Sequence, residues 1–229
     1  FSLACYAFYK SFCFQELKKM DSLKSKQGYL EVICGSMFSG KTEELIRRLR
    51  RSKYARKAVV SFKHSLDKRR EIEYVASHDG NKLSAIATDN VKLIRQLVTP
   101  ETEVIGIDEV QFFSTEIVDI IMTFINEGKR VIVSGLDLDF RGIPFSCIPT
   151  LLAIADSVTK LKAICMRCGK EAHHSQRLVN HKPAKFNDPI IMIGAEECYE
   201  ARCRDCYEID KQTNYTALAR KSEEELMNA

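Results

Sequence analysis

The run Gly35-Ser36-Met37-Phe38-Ser39-Gly40-Lys41-Thr42 fits the spacing G-x-x-x-x-G-K-[ST] at every position. No other stretch constrains the fold as tightly, because this spacing works only between the end of a buried strand and the start of a helix. The glycines let the backbone turn and come close to a phosphate. Loop N–H groups and the helix dipole then form an anion cradle. Both flanks agree. Tyr29-Leu30-Glu31-Val32-Ile33-Cys34 is largely apolar and partly β-branched, as a buried strand requires. From Thr42 to Tyr54, Leu45, Ile46 and Leu49 recur at helical spacing. Arg47, Arg48, Arg50 and Arg51 lie elsewhere around that axis and read as a solvated face or a local basic patch. All eight loop residues are candidate nucleotide ligands, with Lys41 reaching the terminal phosphates and the Thr42 hydroxyl on a magnesium ion.

Beyond the loop the pattern keeps alternating. Lys57–Phe62, Glu103–Asp108 and Arg130–Leu136 read as strands, and Val91–Val98, Ser114–Glu127 and Cys147–Ala155 as helices. Short apolar strands between helices predict a parallel sheet with helices on both faces, an α/β architecture. The charged stretch from Lys63 to Ser84 reads as a mobile loop, and Ser157–Ile164 as the approach to a cysteine-rich region. The expected organisation is an N-terminal extension over 1–27, an α/β domain over 28–160, a small cysteine domain over 161–210 and a polar tail over 211–229.

Asp108, followed by Glu109, ends an apolar strand on the side of the sheet where ligands bind in open parallel sheets. Alone, an Asp-Glu pair is usually a solvated junction. Beside a phosphate loop, Asp108 becomes a candidate magnesium ligand with Thr42, and Glu109 a candidate general base. Phe112, Phe113 and Phe140 follow strand ends in the same region, where core packing and stacking on a flat base are both open readings.

The nine cysteines are distributed unevenly. Cys165/Cys168 and Cys203/Cys206 form two C-x-x-C knuckles separated by 34 residues, a spacing that supplies four thiolates to a closed structural zinc site. A thioredoxin-like redox motif needs only one such pair. His173 and His174 read as loop residues, since four sulfurs already fill a tetrahedral metal. The stretch between the knuckles reads as a long loop tied at both ends by metal. The odd total, with single cysteines inside apolar runs, points to a reducing cytoplasm rather than a secreted disulfide framework. A net charge of +4 gives no argument for a nucleic-acid or membrane partner. Residues 1–19, mostly apolar or aromatic before Met20, read as a poorly ordered upstream extension or the remnant of a targeting peptide, too short to span a bilayer.

From Gly28 to Tyr207 the chain resembles the zinc-containing, cytosolic-type (type II) thymidine kinases. The resemblance rests on G-S-M-F-S-G-K-T, I-D-E-V-Q-F-F, V-S-G-L-D-L-D-F and the paired knuckles with R-L and Y-E-A-R-C-R-D-C, standing in that order. It implies transfer of the ATP γ-phosphate to the 5′-hydroxyl of thymidine and of deoxyuridine, in nucleotide salvage for DNA synthesis. It places Asp108, Glu109, Val110 and Gln111 beside ATP and magnesium, with Glu109 as the base. It implies that Phe112 and Phe140 line the thymine pocket, with Met37, Leu136 and Ser175 around the 5-methyl group. Ile190, Ile191, Met192, Ile193, Gly194 and Tyr199 match a lasso that holds the base through backbone hydrogen bonds. Arg69 matches an arginine near the 5′-hydroxyl and phosphates, and Asp67 a nucleoside contact. The family pattern Asp-x-Arg-Tyr reads here Asp67-Lys68-Arg69-Arg70, without the tyrosine. A homotetramer and feedback inhibition by thymidine triphosphate are further implications. The rival readings are another P-loop nucleoside kinase or ATPase, and a zinc-ribbon nucleic-acid-binding protein switched by ATP.

Overall fold

Strands in this chain alternate which face they bury, and both faces are apolar. In a computed structural model, which describes residues 28–65, 74–76, 82–190 and 198–211, β1 (Tyr29–Gly35) sends Leu30, Val32 and Cys34 to one side of a sheet and Ile33 to the other. Five further strands join it: β2 (Val59–His64), β5 (Ile86–Thr88), β6 (Val104–Asp108), β7 (Arg130–Gly135) and β8 (Ser157–Leu161). Their order is β5-β2-β6-β7-β1-β8, and every pairing is parallel. Parallel strands need crossovers, and among the described residues helices supply four of the five, all but the one from β2 to β5. Helix α1 (Lys41–Tyr54) covers one face through Leu45, Ile46 and Leu49. Helices α2 (Val91–Leu97), α3 (Ile117–Asn126) and α4 (Ile148–Ile154) cover the other. The predicted two-sided α/β sheet is the fold observed.

Two packing details fix α1. A Cβ on Gly106 would lie 2.5 Å from Leu49 Cδ1, so glycine there lets the helix settle onto β6. Glu31, buried within the strand, accepts from Arg48 Nη1 at 2.7 Å and from Arg130 Nε at 2.6 Å. Arg48 also donates to Glu44 and to Thr159, so it is not part of a solvated helix face. A carboxylate in an apolar strand is tolerable because two guanidinium groups pair it.

Three local expectations need correction. Part of the Lys63–Ser84 stretch is ordered: β2 runs to His64, and β3 (Tyr74–Ala76) pairs antiparallel with β4 (Lys82–Ser84). Ser157–Leu161 is the edge strand of the main sheet, beside β1, rather than a passage into the cysteine region. His174 is buried in a strand, not in a loop. Residues 1–27 and 212–229, together with Asp67, Arg69, Ile191, Met192, Ile193 and Gly194, lie outside the described residues.

After β8 the chain builds a smaller unit. β9 (Ala163–Ile164) and β10 (Glu171–Ala172) form a hairpin. β11 (His174–Val179) lies between β12 (Lys182–Pro183) and β13 (Cys198–Arg202), antiparallel to both. No helix among the described residues is long and apolar enough to cross a membrane.

Candidate active site

The phosphate loop leaves β1 at Gly35, with φ of 145°, and enters α1 through Gly40, with φ of 83°. A side chain at Gly35 would meet Leu161 O at 2.3 Å. Ser39 Oγ donates to Ser36 O at 2.8 Å, and Lys41 Nζ donates to the same carbonyl at 2.8 Å. Lys41 is thus buried and held in the hollow of the loop, where the phosphates of a nucleotide would meet it. Phe38, also at positive φ, is exposed.

Asp108 closes the other side. Thr42 Oγ1 donates to Asp108 Oδ2 at 3.0 Å, Ser134 Oγ donates to Oδ1, and Glu109 N donates to Oδ1 at 3.0 Å. Burial, and then the charge of Glu109, push the Asp108 carboxyl up to about 6, against the opposing pull of Ser134, Thr42 and Lys41. A buried carboxylate beside a hydroxyl at a strand end fits a hard, oxygen-preferring cation such as magnesium, which would restore the ionised form.

Glu109 occupies the left-handed region, φ 53° and ψ 43°, at the start of a 3-10 turn over Val110–Phe112. A non-glycine residue there is strained, by on the order of 1 kcal/mol. Its carboxylate accepts from Gln111 Nε2 at 2.6 Å, while Gln111 Oε1 accepts from Leu136 N at 3.1 Å. Gln111 therefore orients Glu109 and ties it to the end of β7. Gly135 makes room, since a Cβ there would lie 2.6 Å from Gln111 Oε1. The family resemblance implies a place for Gln111 beside ATP but not this bracing, of which the G in V-S-G-L is the only hint in the sequence.

Aromatic residues gather at the same edge. His64, at the end of β2, packs edge-on against Phe113 at 4.7 Å and tilts against Phe112 at 6.0 Å. Burial lowers its pKa, and the charges of Asp89 and Glu109 offset part of that. His64 was not singled out from the sequence. Phe113 is core, whereas Phe112 is half-buried and lies edge-on to Phe145 at 5.8 Å. The turn carrying Phe140 is braced by Asp139, whose Oδ1 accepts from Arg141 N at 2.8 Å and Ile143 N at 3.1 Å.

The smaller unit reaches into this edge. Ser175 Oγ accepts from Met37 N at 2.9 Å, and Ser36 Oγ donates to Ala172 O at 3.5 Å, so β10 and β11 brace the phosphate loop directly. Tyr207 OH donates to Phe140 O at 2.6 Å and stacks on His174 with ring centroids 4.4 Å apart. Leu136 and Tyr199 are half-buried, Ser175 is buried, and Ile190 is exposed.

In the same unit, the Sγ atoms of Cys165, Cys168, Cys203 and Cys206 all lie within 4.8 Å of one another. Zinc–sulfur bonds of about 2.3 Å place tetrahedral sulfurs about 3.8 Å apart, so the cluster fits the metal. Burial opposes ionisation of Cys165, yet backbone N–H groups of Cys203, Arg167 and Cys168 hold its thiol at about 6. Gly169, with φ of 75°, turns the first knuckle, and Gly169 N donates to Cys165 O at 2.9 Å. His173 and His174 lie outside the cluster.

Residues 28–207 match the family model described as thymidine kinase. The chain belongs to the thymidine kinase family. It is accordingly a phosphotransferase of the thymidine kinase type, and its phosphate loop, carboxylate pair and four-cysteine cluster all fall within the matched residues. Among the described residues the fold brings the phosphate loop, Asp108–Gln111, Phe112, Leu136, Phe140 and Ser175 of this thymidine kinase family member to one edge.

Proposed function

We propose that this protein transfers the γ-phosphate of ATP to the 5′-hydroxyl of thymidine, and more slowly of deoxyuridine, giving the 5′-monophosphate for DNA synthesis. The single observation that carries the reading is the carboxylate pair: Asp108 bonded to Thr42, and Glu109 held by Gln111 at the mouth of the phosphate loop. Lys41, the loop amides and Ser36, Phe38, Ser39 and Gly40 hold the phosphates, with Val110 and Gln111 beside the nucleotide. Thr42 and Asp108 would hold magnesium, which supplies charge neutralisation on the phosphates. Glu109 accepts the proton of the 5′-hydroxyl as that oxygen attacks phosphorus. Arg69 stabilises the transferring group, and Asp67 contacts the nucleoside.

The base is held by Met37, Phe112, Leu136, Phe140 and Ser175, with Ile190, Ile191, Met192, Ile193, Gly194 and Tyr199 as the lasso. Matched donors and acceptors around a buried base edge reject other bases, because a mismatch leaves polar groups unpaired. Zinc on Cys165, Cys168, Cys203 and Cys206 fixes the unit that supplies Ser175 and Tyr207. Feedback inhibition by thymidine triphosphate, a homotetrameric assembly and a cytoplasmic location belong to the same reading. The test is a panel of thymidine, deoxyuridine, deoxycytidine and purine nucleosides with labelled ATP and magnesium, on wild type and on Glu109→Gln. Thymidine is expected first, deoxyuridine next, and the variant inactive. ATP hydrolysis without nucleoside phosphorylation would refute the proposal.

A further inference from the structure

One charged side chain stands apart from the phosphate machinery. Arg177, on β11, is fully buried and is the largest side chain enclosed in the described structure. Desolvating a guanidinium is expensive, so its placement calls for a role that an apolar residue would not fill. Its guanidinium carbon lies 4.9 Å from the centroid of the Phe140 ring. Its Nη1 donates to Pro189 O at 2.5 Å. In the β11–β13 ladder, Arg177 is the register partner of Tyr199. Phe140 comes from the turn region after β7, while Ile190, which follows Pro189, and Tyr199 come from the single stretch that runs from β12 into β13; each belongs to the nucleoside shell proposed above. Arg177 lies over the first, donates to the residue before the second and pairs in register with the third.

Two further contacts sharpen this. Residues two apart on a strand share a face. Ser175, two before Arg177, turns its hydroxyl to Met37 N in the phosphate loop. Phe140 is fixed from a second side by Tyr207 OH, which donates to its carbonyl at 2.6 Å. The Phe140 side chain is only 4% exposed, so its ring orientation is set by these neighbours rather than by solvent.

We infer that Arg177 is a positioning residue for the acceptor nucleoside: through its stacking on Phe140 and its bond to the Pro189 carbonyl it aligns the walls that hold the base. This rests on the thymidine kinase reading. A planar fork does both tasks at once, stacking through its face and donating through its edge, and a lysine ammonium does not. Thymidine and ATP constants should therefore respond differently, since the contacts of Arg177 described above go to Phe140 and Pro189, whereas Ser175 bonds the phosphate loop.

The test measures KM for thymidine and for ATP, kcat, and thymidine affinity by calorimetry, in wild type, Arg177→Met, Arg177→Lys and Tyr207→Phe. Arg177→Met is expected to raise KM and Kd for thymidine by about tenfold or more, with KM for ATP changed less than about threefold, a pattern of lost substrate positioning. Arg177→Lys restores part of the loss by keeping a cation over the ring, and Tyr207→Phe shifts the thymidine constants in the same direction by a smaller factor. Should Arg177→Met not fold, the lysine and Tyr207→Phe variants carry the comparison. Thymidine constants that stay at wild-type values, or that move in parallel with those of ATP, would overturn the inference while leaving the kinase reading standing. A wild-type protein inactive on every nucleoside would overturn both, and this is seen before any variant is compared.

Discussion

Replacing Gln111 with leucine should uncouple catalysis from nucleotide binding. In the native protein the buried Gln111 amide donates to the Glu109 carboxylate at 2.6 Å and accepts from Leu136 N at 3.1 Å, both bonds being partly buried. The first bond involves a charged acceptor and contributes about 1.5–3 kcal/mol, while losing the second leaves a backbone N–H unpaired at a cost of about 1–3 kcal/mol. Glu109, already in the left-handed region, relies on that side chain for its direction. A catalytic group misplaced by about 1 Å loses on the order of 100-fold in rate. Gln111→Leu is therefore expected to lower kcat for thymidine by about 100-fold, about 2.7 kcal/mol of barrier, and to reduce unfolding stability by about 2–4 kcal/mol. ATP affinity should fall far less than kcat, because the hydrogen bonds that shape the phosphate loop run through Ser36, Ser39 and Lys41. Gly135→Ala supplies a second arm, since its Cβ would push on the same Oε1 atom from 2.6 Å. Initial rates with labelled ATP, ATP titration by calorimetry and urea unfolding together make the assay. A stability loss of the expected size with kcat within threefold of wild type would refute the claim that Gln111 orients Glu109.

Acid should weaken the smaller unit through His174. Burial, with Arg204 and His173 as lesser contributors, depresses this histidine to about 4, below its ordinary 6.5. Its contribution to stability is thus complete above pH 6.5 and is lost as pH falls from there towards 4. Between pH 7 and pH 5 wild type should lose about 2 kcal/mol more than His174→Phe does, as read by urea unfolding at both pH values; equal losses would show that the residue titrates normally. The cysteine cluster predicts about one zinc per chain by metal analysis, and Cys168→Ser should abolish it. Because β10 and β11 brace the phosphate loop through Ala172 and Ser175, removing zinc should also weaken ATP binding, measured by the same titration; retained ATP affinity would place the two units in independence.

The parts of the fold legible in the sequence were those where one run of residues carries its own signal. β1, β6 and β7 are continuous apolar runs, and the phosphate loop needs glycine and lysine at fixed spacing. The sheet's outer strands were not legible. β5 has three residues, and β8 is only half-buried along its length, so neither presents the apolar run of a central strand. Arg48 looked solvated because its partner Glu31 sits 17 residues earlier, within a strand that reads as hydrophobic. In the site, Asp108, Glu109 and the cysteines were announced by short local patterns, an acidic pair at a strand end and two C-x-x-C knuckles, although Asp108 meets Thr42 and the two knuckles meet each other only in the fold. Gln111 acts through Leu136 and Arg177 through Phe140 and Pro189, and such pairings appear only once the strands are assembled.

Whether Glu109→Gln still phosphorylates thymidine decides whether Glu109 is the base. The substitution keeps the side-chain shape and removes only the carboxylate. ATP binding should stay within about threefold of wild type while kcat falls by about 100-fold or more, the usual scale for losing a general base. A variant that phosphorylates thymidine at near wild-type turnover would contradict that role.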